Sequence, residues 1–266
     1  MDVVPLPPLR IEGNAIGAHT QGLEIADGHY WVTARQDDVV PRRALLLRYR
    51  DGDADWRVWN LTPEGGVLMD HPGGFQSDGK HLWIPFAESR RGGHSRVRAY
   101  SLNGWVAGQV PNPVVEFGVD DHIGALAVSR SADLLVGAAW DTDTVYVWDL
   151  KGALKQPLDG SALRRLGLGA GKATGDGLAV QDWKFADGIL WANGLVPASS
   201  DAPQSRLVGL NASWHPPPQV RDLPKIAGVE LGREAMAISG DWIHFLPEDL
   251  GRTNRLFRIH RKALSL

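Results

Sequence analysis

"HTQGLEIADGHYWVTA", residues 19–34, is an alternating apolar run, an Asp-Gly pair and a second run rich in β-branched and aromatic residues. Apolar alternation at a period of two marks a half-buried strand, and Asp-Gly between two such runs marks a hairpin turn. "LLLRYR" (45–50) and "WRVWNL" (56–61) follow as two further strand-like runs, making a unit of four. The unit returns as "HPGGFQSDGKHLWIPFAES" (71–89), "SRVRAYSL" and "VVEFG", and again as "HIGALAVSRSADLLVGAAW" (122–140), "TVYVWDL" and "LRRLGLG". A fourth copy runs "QDWKFADGILWANGL" (181–195), "SRLVGLN" and "QVRDLP". A fifth runs "REAMAISGDWIHFLPED" (233–249) and "RLFRIH".

The repeat length of about fifty residues is that of a four-stranded propeller blade. Five copies exhaust the 266 residues, which predicts one all-β domain, residues 1–266, a five-bladed β-propeller of four-stranded antiparallel blades. The fifth copy lacks an outer strand, and the N-terminal "PPLRIEG" (7–13) has a strand to spare. Pairing of residues 7–13 with 255–260 would close the ring and remove open sheet edges. The final "KALSL" is the alternative closing strand.

Eleven Trp, 31 Gly and 17 Pro agree with many short strands and turns. A net charge of -3 without a basic run supplies no footprint for nucleic acid or an anionic membrane surface. No apolar stretch reaches the roughly 20 residues of a spanning helix, and "MDVVPLPPLR" lacks the marks of a signal peptide. The expectation is a soluble, monomeric protein with a small-molecule partner. Its compartment is left open, because the absence of cysteine fits several.

A propeller brings equivalent positions of its inner strands together at the mouth of a central channel. Aligned copies put His19, His71 and His122 in one slot, and two residues on they put Gln21, Gly73, Gly124, Gln181 and Glu234 in another. Second-strand exits add Arg35, Gln36, Glu88, Asp141, Asp143, Asn193, Glu248 and Asp249 at the same rim. Asp182 and Arg233 neighbour the ring, and the side to which Asp182 points depends on one register step.

Neutral imidazoles with a carboxylate suit Zn, Mn, Fe or Ni. The site is therefore read as a divalent transition metal held by His19, His71 and His122, with Glu234 as further ligand or base and Glu88 or Asp141 handling the proton. Gln21, Arg35, Trp140, Asp182, Trp183 and Asn193 are the candidate substrate contacts. No nucleotide or organic cofactor is indicated. The structural alternative makes each histidine a rivet to a neighbouring blade's carbonyl. The metal reading implies a hydrolase or lyase; a metal-free acyl-transfer or cyclising enzyme and a ligand-binding propeller without chemistry stand beside it.

His29, His81, His94, His215, His244 and His260 are assigned no chemistry, and Trp31, Trp83, Trp191 and Trp242 are read as inter-blade packing. "GLGAGKAT" (167–174) lacks the glycine of a phosphate loop, and "NAS" (211–213) is a chance sequon. "HTQGL" and "WKFADGILWAN" resemble the "TQGL" opening and inner hairpin of the glutamine cyclotransferases, the plant and bacterial glutaminyl cyclases. Carried over residue by residue, that resemblance touches Gln21 and Asn193. "HTQGL", "HPGGF", "AES", "DDHIGA", "W-D" and "QDWK" together resemble more closely a bacterial family of unknown function. That resemblance implies the five-bladed fold and no activity.

Overall fold

A computed structural model describes residues 1–158, 160–169, 177–197, 203–211, 214 and 216–266. Most of "GLGAGKAT", the last two residues of "NAS" and His215 lie outside these. The chain is an all-β five-bladed propeller of four-stranded antiparallel blades. Inner strands are His19–Ala26, the split pair His71–Pro72 and Gln76–Ser77, Ile123–Ser129, Ala179–Ala186 and Ala235–Ser239. Each pairs with a second strand, ending at Gln36, Ala87, Ala139, Val196 and Leu246.

Alternation along each strand sends one set of side chains to each neighbouring blade. Five buried apolar clusters result, one per interface. Trp31, Trp59, Phe86 and Tyr100 join blades 1 and 2, and Trp83, Leu126 and Trp148 join blades 2 and 3. Trp183, Leu190 and Val208 face blade 3 from blade 4, Trp191 faces Met236 and Phe257 of blade 5, and Leu23 and Val32 close on Ala235 and Leu246. Of the tryptophans expected to pack, Trp242 is only half-buried, with its ring 5.1 Å from that of His260.

Three expectations are corrected. The closing strand is Asp2–Pro5, in register with Arg255–Arg258, while residues 10–11 and 14–15 form a separate small hairpin. The pairing ends at Pro5, and the adjacent prolines at 7 and 8, which carry no N–H, do not extend it. "KALSL" does not close the ring: Arg261–Leu264 is a 3-10 turn. The outer strand of blade 3 is Leu154–Leu158, not "LRRLGLG". Its Pro157 is tolerated because an edge strand faces a ladder on one side only. Gly160–Arg165 is helical instead, with Leu163 and Leu166, three apart, buried on one face against the blade 3–4 cluster.

Three inner strands carry a register shift at equivalent places. One residue too many stands between Thr20 and Gly22, between Ile123 and Ala125, and between Val180 and Asp182. The extra residues are Gln21, Gly124 and Gln181. A bulged residue leaves the ladder and its side chain is re-aimed. Here the side chains of Gln21 and Gln181 are re-aimed into the channel mouth, and Gly124 brings bare backbone to it.

Candidate functional site

The mouth, where inner strands begin and second strands end, holds a cavity of about 300 Å³. His19, His71, His122 and Glu234 line it, and the bulged Gln21, Gly124 and Gln181 form part of its wall. Trp140 and Asp141, at the exit of blade 3, complete one side.

The three histidines are held differently. His19 Nδ1 lies 2.7 Å from Asp249 Oδ1, so the ring donates to a carboxylate of blade 5 and turns Nε2 toward Glu234 Oε1, 4.0 Å away. His122 is buried, and its Nδ1–H donates to the backbone carbonyl of Glu88 on blade 2 at 2.7 Å. His71 Nδ1 faces Arg35 Nη1 at 3.1 Å, and its ring meets His122 edge-on with centroids 4.8 Å apart. Trp140 continues the row, its ring 4.6 Å from that of His122.

Burial is the main cause that lowers the pKa of His71 well below its ordinary value, helped by His122 and Arg35; burial also lowers that of His122. Glu234 goes the other way. Desolvation, and after it the charge of Asp249, pushes its carboxyl up to about 8. Its backbone carbonyl is pinned by Asn193 Nδ2 at 3.1 Å, so Asn193 acts from behind the site and not as a cavity contact.

Among the described residues no group of three or more His, Asp or Glu is arranged to hold a metal ion. The imidazoles share one cavity, and each Nδ1 faces a separate partner outside it. His122 fits the rivet alternative, since a neighbouring blade's carbonyl holds it.

Several other candidates lie elsewhere. Glu88 is buried beside the cavity and tied to His94 and Arg90; the hydrogen bond from His94 first, then that from Arg90, holds its carboxyl below the usual range. A carboxylate so held is a poor proton donor at neutral pH. Asp141 lines the cavity but its carboxylate is engaged by Arg91, which also holds Asp143 and lies 5.9 Å over the Trp140 ring. Asp141 and Thr142 have φ of 53° and 57°, left-handed values for residues with side chains. The strain is borne at the rim, where Thr142 Oγ1 accepts from Val180 N and fixes blade 4's inner strand. Arg35 stands behind His71, its guanidinium shared with Asp37.

Trp183 is fully buried in the blade 3–4 cluster. Asp182 is fully buried in the channel below the cavity, accepting from the backbone N–H groups of Leu23, Trp183 and Met236 and from Lys184 Nζ. The bulge at Gln181 produces both outcomes by resetting the alternation. A Cβ on Gly74 would sit 2.5 Å from Asp182 Oδ1, so blade 2 needs glycine there to admit the carboxylate.

Deeper residues that sequence reasoning passed over complete the channel. Lys184 donates to Phe75 O as well as to Asp182, and Gln76 spans to blades 3 and 4. Glu24 lies beside them with Oε2 unpartnered, and burial pushes its carboxyl up to about 8. The available signal was a charged residue, Lys184 or Glu24, inside an otherwise apolar inner strand.

The geometry defines a five-bladed propeller with a polar cavity at one channel mouth. Residues 57–166 match a family described as "Family of unknown function (DUF6454)". "HPGGF" and "DDHIGA" fall inside that match; "HTQGL" and "QDWK" lie outside it. No curated protein matches the chain. Among solved structures it is similar to Myxococcus xanthus glutaminyl cyclase, with a TM-score of 0.55 and 15% identity over 96% of this chain and 94% of that one. It is also similar to the exo-β-1,3-galactanase of Phanerochaete chrysosporium (TM-score 0.59, 11% identity, 98% of this chain and 64% of that one). A streptogramin B lyase structure gives a TM-score of 0.51 at 11% identity over 97% and 87% of the two chains. At these identities the likeness shows the fold.

Proposed function

We propose that the channel mouth is the active site of an enzyme that works on a small molecule by acid–base chemistry supplied by its own side chains, in an acyl-transfer, cyclising or elimination reaction. The observation that carries this is the line Asp249, His19, Glu234. Asp249 fixes the proton of His19 on Nδ1, which leaves the Nε2 lone pair facing the Glu234 carboxyl.

A carboxyl that keeps its proton to about pH 8 is a competent acid at neutral pH. Glu234 donates that proton to a carbonyl oxygen or leaving group in the cavity. His19 Nε2 takes a proton from the attacking group, Asp249 stabilises the imidazolium so formed, and that proton then restores the Glu234 carboxyl, the logic of a base oriented by a carboxylate. The 4.0 Å between Nε2 and Oε1 exceeds a hydrogen bond and leaves the two groups free to act on different atoms of one substrate. The fold shared with a glutaminyl cyclase over nearly the whole chain supports the acyl-transfer member of this set.

Turnover of a panel of small amides, esters and lactones tests the proposal. Whatever reaction is found should slow by about 10²–10⁴-fold in Glu234→Gln while the melting temperature holds, and its rate should fall as pH rises through about 8. Full activity in Glu234→Gln would refute the assignment.

A further inference from the structure

We propose that His71 and His122 form a fixed donor–acceptor pair that reads an amide edge, so that the cavity selects molecules presenting C=O and N–H side by side, as lactams and other cis amides do, over ketones and carboxylates. The inference rests on the channel mouth being the substrate site.

It follows from what each Nδ1 faces. A guanidinium has only donors, so His71 Nδ1, 3.1 Å from Arg35 Nη1, must accept, and the ring proton sits on Nε2. A backbone carbonyl has only lone pairs, so His122 Nδ1, 2.7 Å from Glu88 O, must carry the proton, which leaves Nε2 as an acceptor. Two rings in edge contact therefore present opposite tautomers to one cavity.

Each ring's assigned hydrogen bond runs through Nδ1, with the Arg90 backbone a second partner near His122, and neither Nε2 is among the fully buried unpaired atoms, which leaves both edges facing the cavity. Burial keeps both rings neutral, since it lowers both pKa values, and a protonated His71 would point a second donor at Arg35. Gln21 and Gln181, also in the wall, present carboxamides that turn either way to suit a ligand. The imidazoles cannot, because Arg35 and Glu88 O fix them.

A ligand with C=O beside N–H satisfies both atoms. A carboxylate satisfies His71 and opposes its charge to the lone pair of His122. A ketone leaves His122 unpaired, and an unpaired polar group in a closed site is costly.

The test begins with imidazole 15N resonances of the whole protein at neutral pH. His71 should show a protonated Nε2, and His122 an unprotonated Nε2. With 2-piperidone as probe, both Nε2 resonances should move, and binding should be at least about tenfold tighter than for cyclohexanone or pentanoate. His122→Phe should reduce the preference for 2-piperidone over cyclohexanone to near unity. Matching tautomers, a charged ring at pH 7, or binding of cyclohexanone or pentanoate as tight as that of 2-piperidone would overturn the proposal. The same preference measured in Glu234→Gln separates the two readings, because that variant abolishes proton transfer and leaves both imidazoles in place.

Discussion

The two halves of the central channel are built from similar residues on the same five inner strands, and they spend their polar groups differently. In the lower half Asp182 accepts from three backbone N–H groups and a lysine, Lys184 donates to Asp182 and Phe75 O, and Gln76 Oε1 accepts from Val128 N and Phe185 N while its Nε2 donates to Phe185 O. Those bonds tie blades 1, 2, 4 and 5 through Asp182 and Lys184, and blades 2, 3 and 4 through Gln76. In the upper half, His71, His122 and His19 each use Nδ1 on the protein and keep Nε2 for the cavity. A buried polar group whose capacity is consumed internally stabilises the fold, and one whose capacity is half unspent is ready for a ligand.

The sharpest way to break the contrast is Asp182→Ala. It strands Lys184 and three backbone donors in the channel, and breaking a buried pair costs about 3–5 kcal/mol. Chemical denaturation should show that loss, and a cost below about 1 kcal/mol would mean that the lower channel is not the clamp inferred here. Next comes Glu234→Gln, which should lower turnover by about 10²–10⁴-fold with little change in stability. Asp249→Asn should follow, with a loss of about 10–100-fold in rate measured beside an unchanged fold, since it removes the carboxylate that orients His19.

The smallest effect belongs to Glu24, and it appears as a pH dependence. Its carboxyl is raised from 4.5 to about 8 by burial, so the folded chain holds a proton that the unfolded chain has lost. Stability is therefore fully present below pH 4.5 and is eroded as pH rises through about 8. Glu24→Gln carries no such proton, and by pH 9 it should be more stable than the parent, with the difference vanishing near pH 4. Equal thermal melting curves for the two proteins at pH 9 would contradict this account.

The blade count was legible because the Asp-Gly hairpin and the histidine slot repeat at near-constant spacing. The same spacing placed His19, His71, His122 and Glu234 at one mouth. What stayed hidden follows from single-residue register. The bulges at Gln21, Gly124 and Gln181 carry no local signature that a period-two pattern registers, yet each resets the side chains beyond it. Hence Asp182 became a channel plug and Trp183 a core residue, although both had been expected at the mouth. The partners that decide whether an imidazole is ligand, rivet or reader, Arg35, the Glu88 carbonyl and Asp249, lie on other strands and are set by tertiary packing alone. "LRRLGLG" failed for a related reason, since buried leucines three apart suit a helix as well as a strand.

The seam where Asp2–Pro5 lies against Arg255–Arg258 joins positions 250 to 256 residues apart. Four blades are continuous stretches of chain, each able to assemble as it leaves a ribosome, but the fifth needs both extremes of the fold at once. Its closure carries the largest loop entropy of any contact in the ring and is expected last. A circularly permuted gene that fuses these two segments and opens the chain between two blades should turn that late, long-range step into a local hairpin.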